Sequence, residues 1–170
     1  MGWLFLMILL VFVAISVKWL RRVWLVFAGN PLLRICGVML FVASVFVALT
    51  AVFGGITLAL GFDKFPADWL NETRFRSYLI PALILAVVVG GSATLAAVAA
   101  LRRADTGALI SMLAGAILLG WLAGERIILP SRAFVAQFWW LEAIYIAAGL
   151  MMVAPALAVW LAVHRRGTAT

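Results

Sequence analysis

The chain has 170 residues, 68% of them hydrophobic and 11% charged, with a net charge of +7 and a mean hydropathy of +1.22. A soluble domain of this size carries an apolar share nearer half, so the composition describes an integral membrane protein. It excludes a soluble enzyme, a disordered chain and a secreted disulfide scaffold.

A spanning helix needs roughly 20 apolar residues, about 17 to 25. Five runs qualify, at 2–17, 35–62, 78–101, 107–129 and 138–163. They predict an all-α fold, one transmembrane bundle covering residues 1–170 with no separate soluble domain. The first run is the shortest. It has no basic residue before it and no small-x-small cleavage site behind it, and Lys18, Arg21 and Arg22 all follow it. This is the pattern of a retained helix inserted with its N-terminus outside.

After the first run, Trp19, Leu20, Val23, Trp24 and Phe27 recur at helical spacing beside Lys18, Arg21 and Arg22, and Gly29-Asn30-Pro31 then breaks the pattern. A basic, Trp-bearing amphipathic segment of this kind either lies in the headgroup layer on anionic lipid or continues the first helix into the interface. Lys18, Trp19, Arg21, Arg22 and Trp24 are its expected lipid contacts.

The second span holds the single cysteine, Cys36. It can form no internal disulfide, and a dithiol redox enzyme needs paired cysteines. The segment from Asp63 to Ser77 is the one sizeable polar stretch and is too short for a domain. Along the third span Ala82, Ala86, Gly90 and Thr94 fall every four residues. Along the fourth, so do Ser111 and Gly115, then Ala116, Gly120 and Gly124. Small-xxx-small spacing lets helix backbones approach in lipid. The strings GGITLA and GGSATLA, in adjacent spans, hint at an inverted repeat, although packing alone accounts for them.

Alternating the five spans puts eight Lys and Arg and one acidic residue on one side, a net +7. The other side has five basic and five acidic residues, a net of zero. The positive-inside rule makes the first side cytoplasmic, with the N-terminus outside and the C-terminus inside. The positive charge therefore requires no nucleic-acid partner.

Chemistry-bearing residues are few. His164 is the single histidine and lies after the last span, so paired axial haem ligands within the membrane are missing. No Cys, His and carboxylate cluster has metal-ligand spacing, and neither a metal nor another cofactor is expected. Ser44, Ser92 and Ser111 have no histidine available as base, and packing is their expected role. The carboxylates remain. Glu125 lies near the outer end of the fourth span beside Arg126, and Glu142 near the outer end of the fifth. The connection 130–137 makes these helices antiparallel neighbours, so the two glutamates should sit at similar depth. Glu142 and Tyr145 share one helical face, and Trp139 and Trp140 are close by. An ionisable residue inside a span is a functional hypothesis by default. Two readings stay open: an extracytoplasmic pocket for a headgroup, quinone or proton, and an interfacial salt-bridge cluster within an aromatic belt.

Gly54-Gly55, Phe65-Pro66, Leu70, Thr73, Phe75, the run Tyr78-Leu79-Ile80-Pro81-Ala82-Leu83 and Gly90-Gly91 resemble a pattern found in small bacterial integral membrane proteins without an assigned activity. The resemblance covers roughly residues 51–130 and implies membrane topology alone. The tryptophan-rich sensory (translocator) family is similar in length and span number. Its paired-proline loop and proline–tyrosine motif are absent here, which excludes it.

Three functions are compatible with these residues. The first is a non-enzymatic subunit or accessory of a membrane assembly, with a protein partner or a second copy. The second is a small proton-linked carrier using Glu125, Glu142 and Tyr145. The third, least favoured for want of a catalytic set, is a lipid- or quinone-modifying enzyme. High Ala, Arg and Gly usage points to a bacterial cytoplasmic membrane. The charge asymmetry predicts that green fluorescent protein fused after Thr170 fluoresces and that an alkaline phosphatase fused there is inactive. The reverse pattern would overturn the orientation.

Overall fold

The computed structural model describes residues 19–27, 30–61, 77–128 and 132–167, with backbone only at 128, 132–138 and 164–167. The expected first span at 2–17, Lys18 and the polar segment at 63–76 lie outside these residues. Among the described residues every element is helical and no strand occurs: α1 over 19–26, α2 Pro31–Ala59, α3 Leu79–Ala100, α4 Ala104–Ile128 and α5 Arg132–Gly167. Four of these, α2 to α5, are long and apolar enough to cross a membrane, and the chain is a multi-pass helical membrane protein.

The helix ends follow local chemistry. Asn30 accepts a hydrogen bond from the backbone N–H of Leu32 at 3.0 Å and Pro31 occupies the first helical turn, a favourable start. The break at Gly29-Asn30-Pro31 is thus the cap of α2 itself, which begins four residues before the expected 35. Gly61, at φ +69°, follows its other end with a backbone conformation that costs glycine least. α4 begins at Ala104 rather than 107, with Asp105 in its first turn, where a carboxylate meets the positive end of the helix dipole. α5 begins at Arg132, so most of the expected connection 130–137 is helical. Its Ala136 and Gln137 are good helix formers.

Consecutive helices pack side by side from α2 to α5, and α5 closes back on α2, while the diagonal between α2 and α4 is weak. The core is rich in alanine: Ala51, Ala93, Ala96 and Ala114 pack with Val47, Val89, Leu118 and Met152. Facing outward are Val87, Leu95 and Leu113, each more than 60% exposed, as a lipid-contacting surface requires.

Glycine pairs set the crossings, and one member of each pair does so. A Cβ on Gly55 would lie 2.6 Å from both the Ala82 carbonyl oxygen and the Ala86 Cβ, and one on Gly90 would lie 2.6 Å from Val52 Cγ2. Gly91 faces open space and Gly54 has only an ordinary contact. On the α4–α5 side, a Cβ on Gly115 would lie 2.9 Å from Met152 Cβ and 3.0 Å from Gly149 O. Ser111 is buried on the same face, whereas Ala116 is exposed and Gly120 and Gly124 have nothing against them. The two small-residue rows of the fourth span therefore differ. One packs inside the chain, and the other has no packing partner on its glycines among the described residues.

Between Leu79–Leu83 and Gly90–Ala100, α3 widens to a π-helix at Ile84–Val89, which periodicity alone did not signal. Pro81 sits in its first turn, where a missing N–H costs little. α1 also departs from expectation. Val23 and Phe27 are buried, and the Phe27 ring presses on Gly37, where a Cβ would come within 2.5 Å. Part of the apolar face expected in the headgroup layer is covered by α2 instead.

Gly55→Leu is expected to destabilise the bundle by about 1–3 kcal/mol through overpacking. Gly54→Ala, beside it in sequence, is expected to be neutral or stabilising by up to about 1 kcal/mol. Thermal unfolding in a single detergent distinguishes the two, and equal effects would contradict the crossing.

Candidate functional site

Glu142 and Arg126 meet where the C-terminal end of α4 lies against the N-terminal part of α5. Arg126 donates from Nε to Glu142 Oε1 at 2.5 Å and from Nη2 to Oε2 at 2.8 Å. This forked pairing is the strongest geometry available to a guanidinium and a carboxylate. The Arg126 side chain is 53% exposed and that of Glu142 19%. The arginine reaches outward while the carboxylate is held inward, as a snorkelling pair does at a membrane boundary.

Glu125 precedes Arg126, and one residue along an α-helix turns the side chain by about 100°. It points away from that ion pair's exposed side and is half-buried. It lies close enough to Glu142 and Tyr145 to interact electrostatically with both. Among the described residues it has no hydrogen-bond or ion-pair partner. The two glutamates thus lie near one another at one end of α4 and α5, and among the described residues Glu142 is the one with an ion-pair partner.

Tyr145 continues the face of Glu142 one turn deeper. Its ring lies 6.2 Å from that of Phe46 on α2, tilted by 36°, and a side-chain hydrogen bond links it to Thr50. The Thr50 hydroxyl also donates to the Phe46 carbonyl at 2.8 Å. The sequence reading missed Thr50 and Phe46. A threonine in an otherwise apolar stretch of the second span was the available signal.

Trp139 and Trp140, close by in sequence, are 64% and 51% exposed on the surface of α5. Trp121 instead packs against the core beside Tyr145. The site therefore joins a carboxylate, a phenol and a hydroxyl from α4, α5 and α2, with a neutralised ion pair at its rim. Such a set can hold or pass a proton. It offers no activated nucleophile, and no group of three His, Cys, Asp or Glu forms among the described residues.

At the opposite end, Arg22 stacks over the Trp19 ring at 5.7 Å and Arg34 over Trp24 at 5.2 Å. Arg21, Arg22 and Trp24 are exposed, so these basic and aromatic groups remain available to a surface while Val23 and Phe27 anchor α1.

Fold and site together define a multi-pass helical membrane protein with a carboxylate inside its bundle. Comparison with protein-family models, with curated proteins and with solved structures returns no match.

Tyr145→Phe is expected to cost about 0.6 kcal/mol, the average for an interhelical hydrogen bond in a membrane protein. Glu142→Gln is expected to destabilise only while Arg126 is present, so that adding Arg126→Gln causes no further loss. Unfolding of the two single variants and the double variant reads both outcomes.

Proposed function

We propose that the chain is a five-span protein of a bacterial cytoplasmic membrane, with its N-terminus outside and its C-terminus in the cytoplasm. It works as a non-enzymatic subunit or accessory of a larger membrane assembly. The observation that carries this reading is the second small-residue row on α4. Ala116, Gly120 and Gly124 repeat at four-residue spacing, and among the described residues nothing packs on the two glycines. In lipid such a row lets a second helix come close and gain dispersion contacts. Surrounding lipids and a protein partner, or a second copy, are its expected contacts, and no metal or other cofactor is required.

A specific observation favours a second reading. Glu125 lies half-buried within a span with no counter-ion among the described residues, beside the Tyr145–Thr50 hydrogen bond. A proton-linked carrier uses a carboxylate of this kind, since binding and releasing a proton changes its charge inside the bundle.

Extraction of the tagged protein in mild detergent, followed by mass spectrometry, separates the two. The subunit reading expects reproducible protein partners or a homo-oligomer, lost in Gly120→Leu/Gly124→Leu while the chain itself stays folded. A protein that emerges alone and gives vesicles a proton-driven flux abolished by Glu125→Gln would overturn that reading in favour of the carrier.

A further inference from the structure

We propose that a groove beside α1 holds one anionic phospholipid drawn from the cytoplasmic leaflet. Its phosphate lies between Arg22 and Arg102, and one acyl chain lies along α2. This deepens the reading that α1 and its arginines meet the headgroup layer, and rests on it.

The groove has a volume of about 510 Å³. Its mouth is formed by Trp19 and Arg22 of α1 and by Arg102, in the turn after α3. Both arginines are exposed, and neither makes an ion pair among the described residues. Among the described residues no carboxylate lines the groove, and Asp105 sits near Arg103 instead. The mouth therefore carries two uncompensated guanidinium groups. Guanidinium is the side chain best matched to phosphate oxygens, and basic pockets between helices on the cytoplasmic side are where anionic headgroups bind.

The rest of the groove is apolar. Phe41 and Val45 form its floor, and Leu49 and Thr94 are shared with a second hollow of about 370 Å³ that ends at Ile56. The Thr94 hydroxyl is already satisfied by the Gly90 carbonyl at 2.8 Å, so this wall asks for no polar ligand. From Phe41 to Ile56 the trough follows α2 for about 22 Å. One leaflet of a hydrocarbon core roughly 30 Å thick is shorter than that, so a full acyl chain fits. A charged head at one end and an uninterrupted apolar trough at the other match a phospholipid, and neither a free phosphate nor a soluble peptide would use both.

The test uses the full chain in vesicles of phosphatidylethanolamine with equal phosphatidylglycerol and phosphatidylcholine. Retained lipids are counted by native mass spectrometry after mild extraction. One phosphatidylglycerol per chain is expected in preference to phosphatidylcholine. Arg22→Gln/Arg102→Gln should lower that preference roughly 25-fold, about fivefold per arginine. Val45→Trp, which fills the trough and keeps both charges, should also lower retention. Arg103→Gln, outside the groove and near Asp105, should leave it unchanged. A loss in Arg103→Gln equal to that in Arg102→Gln alone would overturn the groove and leave a diffuse attraction to the membrane surface. No anionic preference in the unaltered protein would overturn both the groove and the headgroup reading. Protein that leaves the membrane with no bound lipid, as when residues before Trp19 cover the groove, overturns the proposal, as does full retention by Val45→Trp.

Discussion

Helices dissolved in lipid gain nothing from hiding apolar side chains from water, and this bundle depends on how closely its backbones can approach. The crossings at Gly55 against Ala82 and Ala86, and at Gly115 against Gly149, bring main chains to distances that a single methyl group would forbid. An alanine-rich core becomes adequate only at such distances, because each small side chain contributes little and the sum of many contacts must serve. The α4–α5 crossing also fixes the antiparallel register that brings Arg126 opposite Glu142. The site is a consequence of the packing.

Within that register, a step of one residue decides two different fates for neighbouring groups. Arg126 leans outward and meets Glu142 in a forked pair, while Glu125 turns into the bundle and meets a phenol and a like charge. Charged residues so close to each other at a membrane boundary are often described as one cluster. Here the ion pair occupies the rim, and a carboxylate with no ion-pair partner among the described residues is kept behind it.

Much of this architecture was legible in the sequence. Continuous apolar runs at 35–62, 78–101, 107–129 and 138–163 marked the four long helices, because satisfying backbone polar groups without water leaves a helix as the available form. The nearness of Glu125 and Glu142 followed from a short connection between spans. The boundaries shifted where capping chemistry overrode hydropathy, at Asn30-Pro31 and at Asp105. Other features depend on partners remote in sequence. Nothing local distinguishes Gly55 from Gly54, or marks Thr50 as the partner of Tyr145. Burial of Val23 and Phe27 was hidden for the same reason, since an amphipathic face looks alike whether lipid or protein will cover it. The same holds for Arg102, whose place beside Arg22 exists only once α3 has folded back along α2.

The side-by-side order of the helices has a bearing on how the molecule is made. Each of α3, α4 and α5 packs along the helix synthesised just before it, so each hairpin can pair as it leaves the translocon. The contact between α5 and α2 is different. Thr50 and Tyr145 are 95 positions apart in the chain, and at roughly 5–20 residues per second the first waits about 5–20 s for the second. During that interval the flank of α2 that α5 will cover faces lipid, with its threonine hydroxyl already tied back to the Phe46 carbonyl. Self-satisfaction of that hydroxyl lets the half-built bundle wait in the membrane without an unpaired polar group at that position.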